Sequence, residues 1–347
     1  MSASSFLILV GSFSSMISTL NFTISPPSLS LVSQTPSGAS PSWLLANPAN
    51  NSIFYATDET ETGALNSLVL DHTTGRLTSV ASIPTQGGSP THIGLVNNGT
   101  QLGVANYGGG SAFFATLESD LLHFKSPQVV SFTDGGSSNA HQVVPFGDQV
   151  LVSDLGRDRV WRLTQDASSS WSIQDSIGQP SGSGPRHLVV DDNALYSLHE
   201  KANTLSQQTI PTTPLSGDAQ PDSIASISII PSDTPSGANL FAGELLLAQS
   251  PTPIIYASNR DDPSSQGDAI AVFDINPLTK VADVRTGLKH LRGVALVGED
   301  NAYLIAGGMN GGGIKIFERV SADQGFLKEV ASLPAGVIDQ PSSFVWV

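Results

Sequence analysis

The stretch "GPRHLVVDDNALYSLHE", Gly184 to Glu200, has a small and polar entry, an apolar strand, a turn, a second apolar strand and a polar exit. It sets an arginine and a histidine ahead of one strand and a glutamate behind the next. The same order recurs in "SPSWLLANPANNSIFYATDE" (40–59), "SPTHIGLVNNGTQLGVANYG" (89–108), "NAHQVVPFGDQVLVSDLG" (139–156) and "HLRGVALVGEDNAYLIAGG" (290–308). The entries fall at Pro41, Pro90, Ala140, Pro185 and Leu291, in steps of 49, 50, 45 and 106. The long step holds another copy, "GELLLAQSPTPIIYASNR" (243–260), and a last entry stands at Pro341 in "QPSSFVWV", 50 residues after Leu291. Self-similarity at a period of about fifty residues marks a repeat architecture.

Each unit continues into two weaker strands. "GALNSLVLD" and "GRLTSVASI" follow the first copy; "DAIAVFDI" and "KVADVRTGL" follow the fifth. Four strands at this period describe a β-propeller blade. The last entry supplies one strand, and the N-terminal "SSFLILVGSF", "ISTLNFTI" and "SLSLVSQ" supply three without an entry strand. The expectation is an all-β, seven-bladed propeller of four-stranded blades, one domain over residues 1–347. The N-terminal strands pair with the C-terminal strand to close the ring and remove the open edges. A parallel α/β fold would need helical periodicity between strands, and none of useful length is present. Residues 201–242 are least regular and must hold the outer strands of the fourth blade plus a polar insertion.

Composition narrows the function. Lys plus Arg is 15 against 30 for Asp plus Glu, a formal net charge of −15, which repels phosphate backbones and argues against nucleic acid. Only 13% of residues are charged while 33 are Gly and 22 Pro, which suits short strands rather than long surface helices. The absence of cysteine excludes disulfides, thiol catalysis and cysteine metal sites. "FLILV" is short and follows no basic residue, so it reads as a strand rather than a signal peptide. No apolar run approaches the roughly 20 residues of a membrane helix. The triplets at Asn21, Asn50 and Asn98 are what a Ser- and Thr-rich chain gives by chance. A cytoplasmic protein, monomeric and without membrane contact, is the expectation. No dinucleotide fingerprint or phosphate loop implies a cofactor. Glu59, Asp154 and Glu200 could ligate Ca²⁺, but no EF-hand spacing occurs and nearby arginines would repel a cation.

In a propeller, the loop entering the first strand and the loop leaving the second emerge on one face. Entries then contribute Trp43, His92, His141, Arg186, His187 and Arg292, and exits contribute Glu59, Asn106, Tyr107, Asp154, Glu200, Asn259 and Arg260. Three of these are arginines, whose planar fork binds carboxylate or phosphate. Together they describe a site for a small anionic or oxygen-rich molecule. A plainer reading stands beside this one. An entry arginine can bond loop carbonyls, and an exit Asp or Asn can hold a turn, which weighs most for Asp154 and Asn106. Arg157, Asp158 and Arg159 read as a solvated loop. His199 and Glu200 alternate, so Glu200 faces the site and His199 away from it. His72, His123 and His290 carry no signal, and Trp161, Trp171 and Trp346 read as packing.

The run "SPSWLL", "GVANYGGG", "AHQVV…VLVSDLGRDRVWRL", "GPRHLVV", "YASNR" and "AVFDI" resembles the seven-bladed lactonase family, which includes propeller-type 6-phosphogluconolactonases and fungal carboxymuconate-lactonizing enzymes. The resemblance covers nearly the whole chain, in the family's order. It implies a site of His141, Arg186, Glu200 and Arg260. The chain departs from the family in having Asn139-Ala140-His141 where His-Ala-His is common, and Leu291-Arg292 in place of Pro-Arg.

The chemistry then expected is lactone hydrolysis. Arg186 and Arg260 would bind and polarise the carbonyl, and Glu200 and His141 would share the roles of base and acid. His92, Asn106, Tyr107, Asp154, His187, Asn259 and Arg292 would line the substrate, a sugar-type lactone. No G-x-S-x-G elbow supports a covalent serine route. A cycloisomerase that closes a muconate lactone, and a propeller that only binds, are the alternatives.

Overall fold

The computed structural model describes residues 5–133, 136–216 and 220–347. Its strands form seven four-stranded sheets. The described residues contain only two short 3₁₀ turns besides strands, Glu299–Asn301 and Ala322–Gln324. No helix among them is long and apolar enough to cross a membrane. The expected all-β, seven-bladed architecture is what forms.

The local reasons are visible in the hairpins. Asn97 and Asn98 take φ of 49° and 53°, the left-handed pair that a tight turn needs between Pro90–Val96 and Gln101–Asn106. The second strand of this hairpin is buried at every position, whereas an outer strand such as Ser28–Pro36 is mostly exposed. Burial therefore falls from inner to outer strand. The third strand, such as Ser111–Leu117, is still mostly buried, so the exposure that weakens the sequence signal belongs to the outermost strand.

The chain divides into two compact units, one of Met1–Phe54, Val69–Thr78 and Ile229–Val347, the other of Tyr55–Leu68 and Ser79–Ser228. The first contains the sheet ordered Pro341–Trp346, Ser5–Ser12, Met16–Thr23, Ser28–Pro36. Here the C-terminal strand pairs antiparallel with the N-terminal one, Ile8 opposite Trp346 and Val10 opposite Phe344. The seventh blade is thus completed by the last strand, as its lone entry required. Ile8, Val10, Leu20, Phe22 and Phe344 join Ile305, Ile314 and Ile316 in one core. Trp346 is 41% exposed and meets Phe6 edge to face, so it is less a packing residue than its type suggested.

The second unit holds the sheets beginning at Pro90, Ala140 and Pro185. Its core includes Val96, Phe114, Phe132, Val152, Trp161 and Trp171. Phe132 stacks on Trp161 at 5.2 Å and Phe114 on Trp171 at 4.9 Å, so both tryptophans pack as expected. The irregular region after residue 200 forms Thr204–Thr209 and Ser223–Ser228; residues 217–219 of the polar insertion lie outside the described set. Arg162, fully buried, holds the start of this insertion by donating to the carbonyls of Pro211 and Thr213 and pairing with Asp175 at 3.2 Å.

Candidate active site

The polar residues at the blade entries owe their placement to β-bulges. Opposite Asp154 and Ser153 stand Ala140 and Gln142, so His141 is an extra residue in its strand. Arg186 is extra between Pro185 and His187, opposite His199 and Leu198. Thr91 and Arg292 occupy the same place in their sheets. A bulge leaves one residue unpaired in the ladder and re-aims its side chain. In four sheets the repeat therefore presents a non-ladder residue at the entry, and in three of them that residue is His or Arg.

In the second unit these residues meet. Arg186 is 2% exposed and its Nε lies 3.0 Å from Oε2 of Glu200, whose side chain is 19% exposed. The ring of His187 is 5.1 Å from that of His141 and 6.2 Å from that of His92. Tyr107 meets His141 edge to face at 6.0 Å. Burial first, and then the electrostatic influence of the neighbouring His187 and Arg186, push the His92 imidazole well below its usual range, so it is neutral at neutral pH. His92, Tyr107, His141, Arg186, His187 and Glu200 thus make one cluster, with a buried cation and a partly open carboxylate at its edge. His199 points elsewhere: it is fully buried, with Nδ1 at 2.8 Å from the Thr204 hydroxyl and Nε2 at 2.9 Å from Gln179 Oε1. Burial lowers it to about 4.

Two candidates of this unit are used by the scaffold itself. The Asp154 carboxylate accepts from the Ser138 hydroxyl, the backbone N–H groups of Asn139, Gly156 and Arg157, and Trp161 Nε1. Those bonds leave it little capacity for a substrate, so the turn-holding reading describes it. Asn106 is fully buried and donates to the Thr85 carbonyl and the Ser111 hydroxyl. It too acts within the scaffold. The loop of Arg157, Asp158 and Arg159 is not merely solvated. Asp158 accepts from the N–H groups of Gly182 and Gly184, and the Arg159 guanidinium lies over the Trp161 ring at 5.0 Å.

Two supports escaped the sequence reading. The Ser153 hydroxyl accepts from Gln142 N–H at the bulge and donates to the Arg186 carbonyl, at 3.0 and 2.6 Å. Gln142 Oε1 accepts from Leu188 N–H. Serine and glutamine inside apolar strands were the available signal. The first unit repeats the device with Ser258, which takes Glu244 N–H and donates to the Leu291 carbonyl.

Arg260, Asn259 and Arg292 lie in the first unit. Arg260 is 6% exposed, donates Nε and Nη2 to the Ala242 carbonyl and lies 6.0 Å from the Phe241 ring. Asn259 accepts from Ala269 N–H. Arg292 lies over the Phe13 ring at 4.7 Å. Among the described residues, no three His, Cys, Asp or Glu side chains are placed to hold a metal ion.

Fold and site together define an all-β protein of the blade-repeat class with a titratable cluster on its bulged entry strands. The family model described as Lactonase, 7-bladed beta-propeller matches residues 7–340, and the chain belongs to that family. A protein of Arthroderma benhamiae named "Probable 6-phosphogluconolactonase" is 26% identical over 329 residues, 89% of this chain and 81% of that one. The 6-phosphogluconolactonase of Bacillus subtilis is 24% identical over 251 residues, 67% of this chain and 66% of its own. The solved periplasmic gluconolactonase of Pseudomonas aeruginosa superposes with a TM-score of 0.82 at 21% identity, covering 99% of both chains. That likeness concerns the fold.

Proposed function

We propose that the chain hydrolyses a sugar-type lactone, 6-phosphogluconolactone or a related aldonolactone, and that the Arg186–Glu200 cluster carries the reaction. The observation behind this is the 3.0 Å pair of a buried guanidinium with a partly open carboxylate, in the cluster that also holds the His141 and His187 rings, 5.1 Å apart. Opening a lactone puts negative charge on the carbonyl oxygen. Arg186, already desolvated, stabilises that oxyanion at no reorganisation cost. The attacking water gives up a proton to Glu200 or His141, and the ring oxygen regains one as it leaves. One C–O bond forms, one breaks, and the proton count balances on the hydroxy acid product. His187 and Tyr107 flank the substrate's hydroxyls. Arg260 joins the list on its exit position in the repeat and on the family resemblance.

A panel of phosphorylated and unphosphorylated aldonolactones, read by acid release, tests this reading. Arg186→Ala and Glu200→Gln are each expected to lower kcat/KM at least a hundredfold on the preferred lactone. Arg260→Ala in the same panel tests the resemblance. Turnover of carboxymuconate without lactone hydrolysis would replace the reading with the ring-closing one. Full activity in both the Arg186 and Glu200 variants would reject the site.

A further inference from the structure

We propose that Asp158 is a positioning residue for the Arg186–Glu200 pair, an inference that rests on the reading above. Asp158 ends the short connection between strands Gln149–Asp154 and Arg159–Gln165, with φ of 50°, a left-handed conformation that Asp tolerates better than most residues. That turn aims its carboxylate at the loop leading into the next sheet. Oδ2 accepts from Gly182 N–H at 2.7 Å and Oδ1 from Gly184 N–H at 2.8 Å, while the Asp158 carbonyl accepts from Gln179 N–H. One residue therefore binds this loop at three points, and both carboxylate oxygens are used.

Gly184 is where the two functional side chains are joined through the backbone. Its N–H is held by Asp158, and its carbonyl accepts from Glu200 N–H at 2.7 Å. Ser183 next to it accepts from Lys201 and Ala202 N–H. Two residues after Gly184 comes Arg186, at its bulge. Gly182 and Gly184 have φ of 76° and 65°, so this turn has intrinsic freedom that something must remove. Asp158 removes it: a charged acceptor on two N–H groups is stronger than a neutral one. A shift of this turn would move the Arg186 entry and the Glu200 exit together. Displacements of about 1 Å can cost a hundredfold in rate.

The test measures kcat/KM on the preferred lactone for Asp158→Ala, Asp158→Asn, Glu200→Gln and the two double variants. Asp158→Ala is expected to lose ten- to a hundredfold with a wild-type urea midpoint to within a small shift. Asp158→Asn, which keeps one acceptor oxygen, is expected to lie between. Either change made on Glu200→Gln is expected to cost clearly less than on the wild type, because only the placement of Arg186 is then left to protect. If Asp158→Ala does not fold, the Asn variant and its double carry the test unchanged. Wild-type activity in the Asp158 variants, or an equal loss with and without Glu200, overturns the proposal. Full activity in Glu200→Gln together with Arg186→Ala would bring down the parent reading and this inference with it, an outcome distinct from either.

Discussion

Arg186 Nε and Glu200 Oε2 lie 3.0 Å apart across one sheet, where the bulge after Pro185 turns the arginine toward the end of the neighbouring strand. A lysine at this position would keep the charge and lose the fork. It could hold Glu200 or a substrate oxygen but not both in the same geometry. Arg186→Lys is therefore expected to lower kcat/KM about a hundredfold. Steady-state kinetics on the lactone panel checks it; a loss under threefold would show that charge alone suffices.

Asp154 was a substrate-binding candidate by position, and its bonds predict another outcome. Its carboxylate serves five donors, among them Trp161 Nε1 at 2.9 Å and the Ser138 hydroxyl at 2.6 Å. Asp154→Ala strands those donors in the interior and should cost about 3 kcal/mol or more. KM of the fraction that stays folded should change little. Urea unfolding paired with kinetics separates the two roles; a large rise in KM at unchanged stability would return Asp154 to the substrate.

Much of this molecule could be read from its residues, and the limits have physical causes. Entry and exit spacing located the inner strands because those are buried and therefore apolar. The lone strand after Pro341 required an N-terminal partner, and Ser5–Ser12 supplies it. The bulges were invisible, since one extra residue in a ladder leaves no compositional trace. They nevertheless determine where His141 and Arg186 point. Position also could not distinguish Asp154, which bonds inward, from Glu200, which pairs with Arg186. Asp158 was passed over because a charged triplet in a connection resembles any solvated turn until its two glycine partners, 24 and 26 residues away, are seen.

His199 makes stability depend on pH in a stated direction. Its folded value is lowered from 6.5 to about 4 by burial, so the unfolded chain binds a proton that the native protein refuses. The contribution is fully present above about pH 6.5 and is lost as pH falls through the window down to about 4. The full loss is on the order of 3 kcal/mol. The neutral imidazole bonds Thr204 and Gln179, so His199→Gln should weaken the protein at pH 7 yet flatten its decline between pH 6.5 and 4. Urea midpoints at half-unit pH steps measure this; parallel declines in variant and wild type would remove His199 as the source.

The C-terminal strand predicts the cost of opening the seventh blade. Pro341–Trp346 is the inner strand of its sheet, and Val10 pairs with Phe344 while Val347 N–H donates to the Leu7 carbonyl. Phe344 also joins the core of Ile8, Phe22 and Ile305. Phe344→Ala should cost about 3 to 4 kcal/mol through lost burial and the cavity left behind. Deleting residues 341–347 should do more. It removes the ladder partner of Ser5–Ser12 and leaves a long, buried, apolar strand with an open edge, a template for pairing with other chains. The truncated chain is expected to aggregate, and a synthetic peptide of those seven residues should recover part of the folded signal. Size-exclusion chromatography and near-UV circular dichroism read both outcomes. A monomeric, fully folded truncation would mean that Ser5–Ser12 holds its place without this partner.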